Sequence, residues 1–125
     1  MMAIRVSRER FEDLVADALD TLPEPFASQI DNVEITVEDW PAPDQIDRHS
    51  PGGMLLGLYE GVPQTNRGPG YTWVMPDKIT IFREPIMRMC SDEDDVAEQV
   101  KHTVIHEIAH HFGISDDRLR ELGAY

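Results

Sequence analysis

The stretch HTVIHEIAHHFGISDD, from His102 to Asp117, constrains the fold more than any other part of the chain. Val96, Val100, Val104, Ile105, Ile108 and Phe112 recur at helical spacing, so VAEQVKHTVIHEIAHHF reads as one long helix with an apolar side. Gly113 suits the left-handed residue that stops such a helix. His106 and His110 are four residues apart, which sends both from the same side of the helix at about 6 Å, close enough to bind one ion together. Glu107 lies roughly a quarter-turn round, where a carboxylate reaches an ion-bound water without becoming a ligand itself.

A catalytic zinc takes three protein groups and leaves one position for water. Gly113 turns the chain back, and Asp116 completes the pattern H-E-x-x-H-x-x-G-x-x-D. A carboxylate oxygen about 2 Å from zinc is ordinary chemistry, so Asp116 is the expected third ligand. Asp117 and Glu121 are the neighbouring competitors. His102 sits one turn before His106, but about 12 Å from His110 along the axis, too far to share an ion. It is expected on the rim of a site or at the surface, and His111 is expected to face away from the ion as a structural or exposed residue.

The rest of the chain supplies a frame for that helix. Ser7 is a candidate N-cap for SRERFEDLVADALDTL, in which Phe11, Leu14, Val15, Ala18, Leu19 and Leu22 share a face before Pro23 ends it. A short second helix is expected in PEPFASQIDN. Val33, Ile35, Val37 and, more loosely, Trp40 alternate with polar residues as in a half-buried strand. PAPDQIDRHSPGG reads as a loop, MLLGLYEGVP as a second strand broken by Gly57 and Gly61, and QTNRGPG as another loop. KITIFREPI gives a third strand closed by Pro85. The acidic run SDEDD lacks the glycine and spacing of a calcium loop and reads as a helix start, with Ser91 as cap and Asp94 three residues on. The fold class expected from this order is α+β, with about three strands, an N-terminal helix and the His106–His110 helix.

At 125 residues the chain is expected to form a single domain over residues 1–125. Its formal net charge of −13 repels phosphate backbones and anionic headgroups, so neither nucleic acid nor membrane is an expected partner. The single cysteine, Cys90, cannot form an internal disulfide, and the N-terminus has charges where a signal peptide needs an apolar stretch. A cytoplasmic protein is expected. The oligomeric state is not legible.

The motif HEIAHHFGISDD, taken with the upstream GLYEG and DKITIFREPI segments, resembles the small bacterial zincin-like metallopeptidases, or minimal zincins, over nearly the whole chain. The resemblance implies a small mixed sheet beside an active-site helix, Zn2+ bound by His106, His110 and Asp116, and Glu107 as general base. It implies a peptide or protein substrate. If the chain is a hydrolase, that substrate is expected to lie extended along the Leu56 to Val62 strand, pairing backbone with backbone. Met75, Met87 and Met89 all lie upstream of the motif, so a counterpart of the metzincin methionine turn after Asp116 is not expected. Tyr59 or Tyr71 could serve an oxyanion, although an aromatic in a strand or loop is more often packing.

Two other readings stand beside the peptidase. One is a zincin-fold peptide-binding module with little or no proteolytic activity. The other borrows the ligand spacing of metal-dependent ribonucleases that mature ribosomal RNA. Those lack the glutamate after the first histidine, carry histidine where Asp116 stands, and would act on a substrate that the acidic charge repels.

Overall fold

The Ser7 hydroxyl accepts from the Arg10 N–H at 3.1 Å and opens α1 (Arg8–Asp20), as expected of its N-cap. The computed structural model describes residues 4–49, 54–61, 77–111, 113 and 116–121. On α1, Phe11, Leu14, Val15 and Ala18 are buried. They share a core with Val96, Val100, Val104 and Ile108 of α5 (Glu93–His111), and burial of each large side chain stabilises the pair by about 1.5–3 kcal/mol. α2 (Phe26–Gln29) and a tight turn over Ile30–Asn32 occupy the place of the expected short second helix.

Among the described residues, three strands form the sheet: β1 (Val33–Glu38), β2 (Gly57–Glu60) and β3 (Asp77–Phe82), in the order β1-β3-β2. β1 runs parallel to β3, and β2 runs antiparallel to it. Ile79, Thr80, Ile81 and Phe82 are all buried, because the central strand is covered on both faces. Ile79 and Ile81 enter the core shared by α1 and α5, whereas Phe82 joins Leu55 and Leu58 in a smaller cluster. The mixed three-stranded sheet against two helices is the α+β arrangement the sequence predicts.

Four local expectations are corrected. The expected loop PAPDQIDRHSPGG contains α3 (Pro43–His49). Pro43 occupies the first helical position, where a missing N–H costs nothing. The Gln45 side chain accepts from the Ala42 N–H at 2.8 Å, and Ile46 packs against the Leu55, Leu58 and Phe82 cluster. Pro85 does not simply close β3, because it lies in the first turn of α4 (Arg83–Arg88). Trp40 is 53% exposed rather than inward-facing, and Arg88 lies over its ring at 4.9 Å.

The fourth correction concerns the start of α5. Asp92, not Ser91, caps the helix, accepting from the Asp95 N–H at 2.8 Å. The Asp95 carboxylate reaches back to accept from the Ser91 N–H and hydroxyl at 3.1 and 2.6 Å. These bonds hold Asp95 below the usual carboxylate range. The acidic run is thus a helix start, with the cap shifted by one residue.

At the other end, Gly113 adopts φ +74°, the left-handed stop expected of it, and its N–H donates to the His110 carbonyl at 3.2 Å. α6 (Asp116–Glu121) follows, as expected of a short terminal helix. Val62, Tyr71, Phe112, Leu122 and the Leu119 side chain lie outside the described residues. Among the described residues, no helix is long and apolar enough to cross a membrane.

Candidate metal centre and active site

α5 offers its functional side chains in two adjacent rows, each with one residue per turn. His102, His106 and His110 form the first. Their rings follow one another, with centroids 5.7 Å apart between His102 and His106 and 4.2 Å apart between His106 and His110. The closer pair brings two imidazoles within reach of one ion, in a part-exposed position on the opposite side of the helix from buried Ile108. Imidazole nitrogen is a common donor to zinc and to the later first-row metals, so the pair fits such a cation. His102 lines the cleft beyond His106, with Met54, Met89 and Gln99, which agrees with its expected rim position.

The second row, Thr103, Glu107 and His111, meets β2. A Cβ on Gly57 would stand 2.6 Å from Thr103 Cγ2, so strand and helix touch there with no space for a side chain. One turn on, Glu107 Oε1 accepts from the Tyr59 N–H at 3.0 Å. A further turn on, the His111 ring stacks on the Tyr59 ring, with centroids 4.0 Å apart and planes 19° apart. His111 therefore leaves the row of His106 and His110, as expected, but it lines the same cleft of about 290 Å3 as Glu107 and His110.

The pairing register explains why the Tyr59 N–H is available to Glu107. Among the described residues β2 lies at the edge of the sheet, and the Phe82 N–H donates to the Leu56 carbonyl at 2.9 Å. Because facing residues of an antiparallel pair alternate between bonded and non-bonded, Leu58 and Glu60 turn their backbone groups toward β3, while Gly57 and Tyr59 turn theirs outward. Glu107 thus sits on the side of β2 turned away from β3, beside the two imidazoles.

Asp77 completes the surroundings of Tyr59, and no sequence pattern singles it out. The Tyr59 hydroxyl donates to Asp77 Oδ2 at 2.6 Å, and the same oxygen lies 3.9 Å from His111 Nε2. Burial first, then the bond to the Asp77 carboxylate, pushes the Tyr59 phenol well above its ordinary pKa, so it stays protonated and donates to Asp77. Only the fold brings Asp77 and Tyr59 together, on neighbouring strands.

Among the described residues, no group of three His, Cys, Asp or Glu side chains is placed to hold an ion. The Asp116 side chain lies outside the described residues, although its backbone begins α6. Of the two competitors, Asp117 accepts from Arg120 at 3.1 Å with its side chain 91% exposed, and Glu121 accepts from Arg118 at 2.9 Å. Neither is gathered with His106 and His110.

A family model described as zincin-like metallopeptidase matches residues 30–124. A solved structure of a conserved hypothetical protein from Thermo thermophilus is similar over 86% of this chain and 94% of that one, with 22% identity and a TM-score of 0.52. At that identity the likeness speaks for the fold alone. No curated protein matches the chain.

Proposed function

We propose that this chain, which belongs to the zincin-like metallopeptidase family, hydrolyses peptide bonds with Glu107 as general base and with Zn2+ bound by His106, His110 and Asp116. The observation that carries the proposal is the position of Glu107, held on the edge-strand N–H of Tyr59 at 3.0 Å beside two imidazoles whose centroids are 4.2 Å apart. When bound, the cation would act as a Lewis acid on the scissile carbonyl and lower the pKa of water. Glu107, with Oε1 accepting from the Tyr59 N–H, would take a proton from the attacking water and pass it to the leaving amine.

A peptide drawn along the side of β2 turned away from β3 would pair with its backbone. On the helix side of this strand, a cleft of about 530 Å3 lined by Met54, Leu56, Met89 and His102 would take side chains of the substrate. Tyr59 does not serve as an oxyanion donor in this reading, because its hydroxyl is held by Asp77.

Metal analysis of the purified protein and of His106→Ala, paired with hydrolysis of an unbiased peptide library by the wild type and Glu107→Gln, tests the proposal. Stoichiometric zinc that is lost in His106→Ala is expected. Hydrolysis should fall by about 10²–10⁴-fold in Glu107→Gln with zinc retained. Cleavage surviving in Glu107→Gln would exclude the mechanism. Peptide binding without cleavage in the zinc-loaded wild type would leave the binding-module reading.

A further inference from the structure

The structure assigns Tyr59, Asp77 and His111 a common role as positioning residues that hold the edge-strand amide against Glu107 and so fix the carboxylate. The inference rests on the reading of Glu107 as the base, and it names residues that act through Glu107 rather than on substrate.

Tyr59 is held from three directions. Its N–H binds Glu107, its ring lies on His111, and its hydroxyl binds Asp77 at the start of the neighbouring strand. Two of these partners, Glu107 and His111, are one turn apart on the same row of α5. The third belongs to β3, so the tyrosine ties helix and sheet together at the point where the base sits. Gly61 fits the same assembly, because a Cβ there would stand 2.9 Å from His111 Cε1 and 3.8 Å from Asp77 Oδ1. The chain leaving β2 passes close over the histidine ring.

A glutamate has three side-chain torsions, and fixing them costs rotamer entropy. A base that must meet a water and a leaving amine benefits from having that cost met before substrate arrives. The Tyr59 N–H can do this only if the strand does not drift along or away from the helix. Stacking on His111 opposes movement away from α5, and the bond to Asp77 opposes sliding of β2 along β3.

Amide hydrogen exchange followed by NMR on the metal-free protein tests the assignment without turnover. Glu107→Ala is the control that removes the acceptor. In Asp77→Ala and in His111→Ala, the Tyr59 amide is expected to exchange at least about tenfold faster, while the β3 amides keep their protection relative to one another. His111→Phe, which keeps an aromatic ring on Tyr59, should restore most of the protection. Unchanged exchange at Tyr59 in both variants would overturn the assignment. Equal acceleration of the Tyr59 and β3 amides would also overturn it, because that is loss of global stability. Where a cleavable peptide is in hand, kcat should fall with little change in KM. Absence of hydrolysis in every form would count against the proposed function and leave the exchange result standing.

Discussion

Gly57 and Thr103 meet without space between them: a Cβ added to Gly57 would lie 2.6 Å from Thr103 Cγ2. This contact sets how closely β2 approaches α5, and therefore whether the Glu107 carboxylate reaches the Tyr59 N–H. Gly57→Ala forces one of the two elements to shift. It is expected to cost about 1–3 kcal/mol in urea unfolding, the range for overpacking. Thr103→Ser removes the clashing methyl and keeps the hydroxyl that accepts from Gln99 Nε2 at 3.3 Å. The double variant should recover part of the loss, with the Thr80 carbonyl 3.3 Å from the added Cβ as the remaining obstacle. Simple addition of the two single effects would mean that the spacing is set elsewhere.

The helices and strands that bury one apolar row are legible in the sequence, because their period records the face that leaves water. α1 and α5 are the clearest cases, and the same period places His106, Glu107 and His110 on α5. α3 is not legible, because its signal is carried by Pro43, a Gln45 side-chain bond and the packing of Ile46, in a segment whose proline and polar residues read as loop. Tyr59, Asp77 and His111 are illegible as a group for a different reason. Asp77 is joined to Tyr59 by strand pairing and to His111 by helix packing, and neither relation leaves a spacing in the sequence.

The third ligand can be distinguished from its neighbours by linkage. A cation that binds the folded state alone stabilises it by about 2.7 kcal/mol at one hundred times its Kd. Zinc is therefore expected to raise the unfolding midpoint of the wild type and to have little effect on His106→Ala, His110→Ala or Asp116→Ala. Asp117→Ala should keep the full zinc response, since its carboxylate is engaged by Arg120 at 3.1 Å. Titrating zinc against each variant by thermal unfolding reads the difference, and a lost response in Asp117→Ala with a normal one in Asp116→Ala would reverse the assignment.

Ile108 lies between the two histidines in sequence and is fully buried in the core. The helix thus separates two tasks by direction, with ligands outward and packing inward. Ile108→Val is expected to lower stability by about 0.5–1.5 kcal/mol and to leave zinc content unchanged. Urea unfolding and metal analysis on one preparation would check both halves. A variant that loses zinc while keeping its stability would show that the two faces are not independent.

Glu84 gives the fold a predictable response to acid. It is buried at the start of α4 and accepts from Arg5 Nη1 and Nη2 at 2.5 and 3.0 Å, with Arg83 Nη2 at 3.6 Å. The bond from Arg5, with the charges of Arg5, Arg83 and Arg88, holds its carboxyl below the usual range. In the unfolded chain a glutamate titrates near about 4.3. The unfolded state therefore binds the proton first as pH falls, and stability declines with pH from about that value down through the lower folded value. Above about 4.3 the contribution is fully present. Glu84→Gln should be less stable than the wild type near neutral pH, and the gap between the two should narrow as the solution is acidified below about 4. Urea unfolding across that range measures it, and two curves that stay parallel would show that the Arg5 pair contributes nothing pH-dependent to the fold.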